Sequence, residues 1–369
     1  MIPLFKPYMP VSVMPKLQQT LFSGYIGEGP RTHQFENELC AWLNVPRIAA
    51  VNSGTSAIQL ALRLAGVGPG DEVVTPPLTC VATNTPILAL GARPVWADID
   101  PWTGNVLAED VARKCTSRTK AVIAVHWGGY PCDLHELAAV AQEHSIAVIE
   151  DAAHAFGSEY DGELIGRHSD FVCFSFQAIK MLTTGDGGAL ACRSEVADSR
   201  ARKLRWFGLD RAKSFAGECR WDQDIAEYGG KFHMNDIAAT IGIEQLRHVR
   251  GNIECHRAHA AAYDRLLTSS PHVRPLQQEA DRRSNHWLYT LRVRNRAHFI
   301  NYMNDAGIEV SRVHIRNDHY SMFRDSQRGL LPGVTEFDTE QVNIPCGWWL
   351  TPEEVSHVVS TLLMYKGSD

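Results

Sequence analysis

The chain reads as an α/β protein: a mostly parallel central sheet with helices on both faces, followed by a smaller C-terminal α+β unit. Three observations carry that reading. From Arg47 to about residue 190, short apolar runs alternate with segments of helical periodicity. Several runs, such as TKAVIAVHW and IAVIED, are apolar throughout, as strands buried on both faces are. Beyond residue 190 the alternation stops, and a long helical stretch leads into mixed strands and helices. That order implies βα crossovers, hence parallel strands covered by helices.

RIAAV is the first strand, and SGTSAIQLALRLAG follows with Ala57, Leu60, Ala61 and Leu64 at helical spacing. After the turn GVGPGDE comes the strand EVVTP. TCVATNTPILALGA reads as a helix in which Pro86 fits only near the start or as a kink. RPVWADID and TKAVIAVHW are strands, DLHELAAVAQEH an amphipathic helix and IAVIED a buried strand. DFVCFSF and GALACR complete the sheet. MNDIAATIGIEQLRHVRGNIECHRAHAAAYDRLL keeps helical periodicity over about eight turns and predicts one long helix bridging to the second unit. There HWLYTLRVR is a strand, NRAHFINYMNDAGI a helix and EVSRVHI a strand. TPEEVSHVVSTLLMY closes the chain with a capping box, Thr351 to Glu354, and Pro352 at the first helical position. The organisation is a large unit, 1–245, and a smaller one, 246–369.

Composition narrows the function classes. Over 369 residues, 36 Lys plus Arg against 42 Asp plus Glu give a net charge of -6, with no basic block, which argues against nucleic acid. Nine dispersed cysteines without a CxxC pair fit a reducing compartment and neither a disulfide framework nor a zinc site. MIPLFKPYMPVSV is broken by prolines and lacks the apolar core of a signal peptide, and no apolar run approaches membrane-spanning length. A cytoplasmic protein without metal or membrane partner is the expectation.

Three stretches carry chemistry, each with a plainer alternative. In 52-NSGTSA-57 a strand ends and Gly54 opens a helix. Its free amides and the Ser53, Thr55 and Ser56 hydroxyls form an anion cradle, or simply a helix cap. In 147-AVIEDAAHAFG-157, Glu150 and Asp151 end a buried strand, where open α/β sheets bind ligands. A carboxylate buried there needs a cation or several donors; alternatively Asp151 caps the next helix. His154, three residues on, is either structural or part of the same site. In 171-FVCFSFQAIKMLTTGDGG-188, Lys180 follows a buried strand. Burial lowers a lysine pKa and frees the amine to attack a carbonyl; the alternative is a surface lysine opening a flexible turn. Ser175 adds a hydroxyl, and Gly185, Gly187 and Gly188 let backbone approach a ligand closely. An anion cradle, a strand-end carboxylate and a strand-end lysine, in that order on a parallel scaffold, match what pyridoxal 5'-phosphate (PLP) requires for its phosphate, its pyridine nitrogen and its carbonyl.

The sequence resembles the DegT/StrS-type sugar-nucleotide aminotransferases, which are fold type I PLP enzymes. The resemblance runs over nearly the whole chain and rests on VNSGTSAIQLAL, GDEVVTPPLTCVATNTPILALGARPVWADID, EDAAHAFGSEYDGELIG, FSFQAIKMLTTGDGG and MNDIAATIGIEQL. It implies that Lys180 forms the Schiff base, that Asp151 pairs with the pyridine nitrogen, and that His154 lies against the ring or its hydroxyl. It implies that Gly54, Thr55 and Ser175 hold the phosphate, and that Lys231 reaches the phosphate of a second copy in a homodimer. The implied reaction moves an amino group from L-glutamate to a nucleotide-linked keto sugar, with pyridoxamine 5'-phosphate as the alternate cofactor form. Arg312, His314, Arg316, His319 and Arg324 would flank the site mouth and meet the diphosphate; a solvated strand edge is the alternative. Cys80 stands where the family usually carries a ring-stacking aromatic, with Trp127 a candidate to cover that face instead. Other fold type I enzymes and a non-catalytic homologue remain open; a sugar dehydratase of this family would carry histidine in place of Lys180.

Overall fold

The computed structural model describes residues 1–211, 222–268, 270–326 and 329–367. Its strands are β1 (Ile48–Val51), β2 (Glu72–Thr75), β3 (Arg93–Trp96), β4 (Thr119–Val125), β5 (Ala147–Asp151), β6 (Glu159–Tyr160), β7 (Glu163–Leu164), β8 (Phe171–Ser175), β9 (Gly188–Cys192), β10 (Val273–Pro275), β11 (Arg282–Arg283), β12 (Tyr289–Val293) and β13 (Gln341–Ile344). Its helices in the first part of the chain are α1 (Val13–Leu21), α2 (Pro30–Leu43), α3 (Gly54–Leu64), α4 (Val81–Ala89), α5 (Ala108–Lys114), α6 (Leu134–His144) and α7 (Glu195–Leu204). Then come α8 (Asp236–Leu246), α9 (Val249–Leu267), α10 (Arg296–Asp305), α11 (Pro332–Glu340) and α12 (Pro352–Met364).

Among the described residues, seven strands form the central sheet in the order β1-β9-β8-β5-β4-β2-β3. The β8–β5, β5–β4, β4–β2 and β2–β3 pairings are parallel, as the apolar runs predict. β9 departs from this, running antiparallel to both β8 and β1. The loop 176–187 therefore joins two antiparallel neighbours and returns over the same sheet end, and Lys180 rides on it. One apolar cluster lines each face of the sheet, around Val74, Val122 and Phe174 on one side and Leu60, Ile123 and Leu190 on the other.

Three expectations are corrected. The predicted single long helix is two, α8 and α9, interrupted at Arg247 and His248. Each half answers to a different neighbour. α8 is tied at its start to α2, because Asp236 accepts hydrogen bonds from the Gly29, Arg31 and Thr32 amides and the Thr32 hydroxyl. α9 turns away to pack on α12 and β10. EVSRVHI is not a strand: within it only Ser311 makes an isolated bridge, to Asn343, and the next bridge, Arg316 to Leu78, lies just beyond it. The Val313 amide donates to the Asn343 side chain at 3.1 Å, which diverts the backbone from a ladder. Pro86 lies inside α4, in its second turn, where the missing N–H forfeits one bond of a short helix. The capping box of α12 is present, with Glu354 N donating to Thr351 Oγ1 (3.2 Å) and Thr351 N to Glu354 Oε2 (2.9 Å).

The second sheet, β10-β12-β13, is antiparallel and has its own core around Tyr263, Leu291, Phe299, Val342 and Leu362. Ile2 belongs to that core too, so the chain's first residues run against the C-terminal elements. The two sheets are stitched together by buried polar contacts. Asp98 accepts from Gly333 N (2.9 Å) and Val334 N (2.8 Å), capping α11 from the other unit. Arg292, 1% exposed, donates to the Pro101 carbonyl at 2.9 Å. Asn317 donates to the Thr79 carbonyl (2.9 Å) and accepts from Asn84 (3.0 Å). Trp96, Trp127, Phe323 and Phe337 fill the apolar part of the seam.

Candidate active site

The site forms where β1, β2, β5 and β8 deliver their C-terminal ends. β1 runs into Asn52 and Ser53, and Gly54 begins α3. Ser53 caps the helix by accepting from Ser56 N (3.1 Å), and Ser56 donates to Asn52 Oδ1 (2.7 Å). Those two hydroxyls are thus taken up by the cap. The Gly54 and Thr55 amides open the helix and have no intrahelical acceptor. A Cβ on Gly54 would stand 2.9 Å from the Ser175 Cβ, so the end of β8 presses directly on the start of α3. The glycines downstream serve this packing more than a ligand. A Cβ on Gly188 would meet the Gly54 nitrogen at 2.6 Å, and one on Gly187 would meet the Thr184 hydroxyl. Of the three, Gly185 alone adopts a positive φ, +83°.

β5 ends in Glu150 and Asp151, and strand alternation sends them to opposite faces. Glu150 is fully buried and faces His126 Nε2 at 2.9 Å, away from the cradle. Asp151 is also buried. Its Oδ2 accepts from the Thr83 hydroxyl (2.7 Å) and its Oδ1 from Ala153 N (3.1 Å). Donors on both oxygens satisfy the requirement for a carboxylate in such a place.

Lys180 lies in a turn beyond β8, its N–H donating to the Gln177 carbonyl, and not at the strand's end as expected. Part of the side chain still meets solvent, but the amine is enclosed by protein. Burial pushes it down from 10.5 to about 8, against the opposing pull of Cys80 and Asp151. Nζ stands 3.7 Å from the centroid of the Trp287 ring. Trp287 also stacks on His154 (4.0 Å) and Phe5 (5.4 Å), and its indole N–H donates to the Ile179 carbonyl (2.7 Å). It therefore grips the lysine by backbone and by ring face together.

His154 and His314 face each other with rings parallel within 5° and Nε2 atoms 3.2 Å apart. Burial and the Lys180 charge lower both, His314 to about 3 and His154 well below its usual range. Both rings are neutral at pH 7, so one Nε2 donates and the other accepts. His154 Nδ1 is buried and has no partner among the described residues.

The other expected residues divide. Half-buried Cys80 sits at the start of α4, within electrostatic reach of Lys180. Trp127 is fully buried in the seam, donating to Thr290 Oγ1 and packing edge-on against His314 and Phe337. It backs His314. Arg312 is paired with Asp338 (3.2 Å) and Arg316 with Asp318 (2.6 Å), while His319 and Arg324 are exposed. Lys231 extends an exposed side chain, and its carbonyl accepts from Asn52 Nδ2 (3.1 Å) beside the start of α3. Trp287, Thr83 and Asn317 belong to the site without any local mark in the sequence; Trp287 reads simply as a core residue of the strand HWLYTLRVR. Among the described residues no cluster of His, Cys, Asp or Glu is placed to hold a metal ion, and no helix is long and apolar enough to cross a membrane.

Comparison with known proteins fits this geometry. The profile of the DegT/DnrJ/EryC1/StrS aminotransferase family matches residues 9–363. A dTDP-4-dehydro-2,3,6-trideoxy-D-glucose 4-aminotransferase from Saccharopolyspora spinosa is 37% identical over 74% of this chain and 72% of its own. The crystal structure of the sugar aminotransferase CalS13 from Micromonospora echinospora superposes with a TM-score of 0.94 at 39% identity, covering 98% of this chain and 99% of that one. The putative sugar aminotransferase Spr1654 from Streptococcus pneumoniae, in its PLP form, superposes with a TM-score of 0.90 at 27% identity, over 98% of this chain and 97% of that one. The chain belongs to the DegT/DnrJ/EryC1/StrS aminotransferase family. Within it, this is a PLP-dependent sugar aminotransferase.

Proposed function

We propose that the protein transfers the amino group of L-glutamate to the keto group of a nucleotide-linked deoxy sugar, at position 3 or 4. The observation that carries this reading is an enclosed amine at about 8, Lys180, within electrostatic reach of a buried, doubly hydrogen-bonded carboxylate, Asp151. The residues present fit PLP. The tight contact of Gly54 with Ser175 leaves the α3 amides open, and His154 Nδ1 is buried and unpartnered. When bound, PLP supplies a carbonyl that exchanges amines and a pyridinium ring that accepts electrons. Gly54, Thr55 and Ser175 would hold its phosphate, Asp151 its ring nitrogen and His154 its ring or hydroxyl, with Cys80 the candidate for the ring face. Lys180, through Nζ, would be the residue that anchors the group by its carbonyl. Once released, the same nitrogen takes a proton from the substrate carbon and returns one in the second half-reaction.

His314 is the member of the substrate group nearest that chemistry. Arg312, Arg316, His319 and Arg324 face the diphosphate in this reading. Arg312 and Arg316 must exchange Asp338 and Asp318 for phosphate to do so. The division into a cofactor-holding unit, 1–245, and a smaller unit, 246–369, is part of the proposal and is supported by the separate apolar core of the second. So is a cytoplasmic setting, supported by cysteines that are unpaired among the described residues.

A homodimer completes the site in this reading, with Lys231 reaching the partner copy's phosphate. An exposed apolar group near the start of the chain supports it: Val11 (88% exposed), Phe22 (83%), Met14, Tyr25 and Ile26. Lys231→Ala is expected to weaken PLP retention by about tenfold, the loss of one charge-assisted contact, with dimerisation unchanged. PLP titration and light scattering check this; a fully active monomer contradicts it.

The direct test is optical. L-glutamate added to the PLP-loaded protein should bleach its yellow absorbance, and one member of a panel of keto-sugar nucleotides should restore it. Restoration only by oxo acids would make the protein an amino-acid aminotransferase, and no bleaching by any amino acid would remove the reading altogether.

A further inference from the structure

Asp151 is the end of a chain of hydroxyls. Thr83 lies in the first turn of α4, 1% exposed, and its Oγ1 stands 2.7 Å from Asp151 Oδ2. Thr79, one turn earlier and 2% exposed, places its own Oγ1 2.8 Å from Thr83 Oγ1. The sense of the chain is fixed by chemistry. An ionised carboxylate only accepts, so Thr83 gives its hydrogen to Asp151. The Thr83 oxygen can then accept, and Thr79 donates to it.

The usual alternative for a threonine within a helix is to donate to the carbonyl four residues earlier. Here that carbonyl belongs to Thr79, and Asn317 Nδ2 donates to it at 2.9 Å. Thr83 hydrogen-bonds to the Thr79 side chain instead, and its proton goes to Asp151. Asn317 is itself fixed from two sides: its N–H donates to the Pro77 carbonyl (2.7 Å), and its Oδ1 accepts from Asn84 Nδ2 (3.0 Å). The relay is therefore anchored to the segment that also carries His314, three residues before Asn317.

We propose that Thr83, backed by Thr79, is a positioning residue: its hydroxyl orients Asp151 toward the cofactor's ring nitrogen and so helps keep the proton there. This rests on the pairing of Asp151 with that nitrogen proposed above. The geometry offers Asp151 two donors, Thr83 Oγ1 and Ala153 N, and the first is the one a side-chain change can remove. Without it Oδ2 loses a buried donor and the carboxylate becomes a poorer match for a pyridinium.

The test reconstitutes the full chain with PLP carrying 15N at the ring nitrogen. It reads the nitrogen chemical shift at one fixed pH, PLP affinity by titration, and the melting temperature of the cofactor-free protein. Asp151→Asn sets the position of the unprotonated ring. Thr83→Val, nearly the same shape without the hydroxyl, should move the resonance part of the way toward that position and weaken PLP binding by about tenfold. Thr83→Ser should restore both. A Thr83→Val shift equal to wild type, while Asp151→Asn is displaced, overturns the inference and leaves the pairing intact. An unchanged resonance in Asp151→Asn overturns the pairing itself. Equal displacement by Thr83→Ser and Thr83→Val would make the contact one of packing and also refute the role of the hydroxyl. If Thr83→Val does not fold, Thr79→Val decides: it removes only the outer hydroxyl, so a smaller displacement in the same direction supports the relay and none refutes it.

Discussion

Lys180→Ala is expected to reduce transamination by at least about a thousandfold, since one nitrogen serves both as covalent anchor and as proton carrier. PLP should still enter the cradle but be lost on gel filtration, and the loss should be visible in the protein's colour. The pH behaviour of the unsubstituted protein follows from the burial of this amine. Between about 8 and the ordinary lysine value of 10.5 the folded chain holds a neutral amine where an exposed lysine stays charged. At pH 7 about one chain in ten carries it neutral, so the rate of loading PLP onto cofactor-free protein should rise with pH through about 8 and then level off. Stability of the cofactor-free protein carries the same sign: the unfolded chain binds the extra proton in that window, so stability rises as pH climbs from about 8 toward 10.5. Stopped-flow absorbance and pH-dependent melting measure the two effects. Near-normal turnover by Lys180→Ala would remove the lysine from the mechanism.

Asp151→Asn should slow both half-reactions by about a hundredfold or more while still binding PLP, at least about tenfold more weakly than the unsubstituted protein. The amide occupies the same space but supplies no negative charge to the ring nitrogen, and fixed charges of this kind are typically worth 10²–10³ in rate. Single-turnover measurements with L-glutamate, and then with the accepted keto sugar, separate the two halves. Rates close to wild type in both would return Asp151 to the role of a capping residue for the turn after β5.

Much of the site was legible because its parts are contiguous in sequence and fall at strand ends. Gly54 with Thr55, Asp151 with His154, and Ser175 with Lys180 each lie within a short segment, and the βα order alone assembles those segments at one edge of a parallel sheet. Trp287, Thr83 and Asn317 were not legible, because they act across long stretches of chain. Trp287 reaches the Ile179 carbonyl from 108 residues away, and Asn317 reaches Thr79 from 238. Nothing local distinguishes such a tryptophan from a core residue or such a threonine from a helix surface. The strand expected at EVSRVHI failed for a related reason. Its β-branched residues Val310, Val313 and Ile315 suit a strand, but the Asn343 side chain captures the Val313 amide, and a ladder needs that amide. The long helix failed because periodicity continues through Arg247 and His248 while the two halves pack on different partners. Glu150 and Asp151 could not be told apart by type; which of them faces the cradle follows from the register of β5 against β4 and β8.

The Asp98 cap on α11, the Arg292 contact to the Pro101 carbonyl and the Asn317 bonds to α4 and the turn before it tie the two sheets into one frame. Opening it would break buried hydrogen bonds made by a carboxylate, a guanidinium and two amides and wet the apolar seam. A jaw closing between the two sheets would have to break these contacts at every turnover, which favours a mouth whose shape is set when the chain folds. Exchange of one sugar for another then needs no rebalancing of an open and a closed state. Side chains at the rim can drift, and the range of acceptable sugars with them, while the lysine, the carboxylate and the cradle stay where they are.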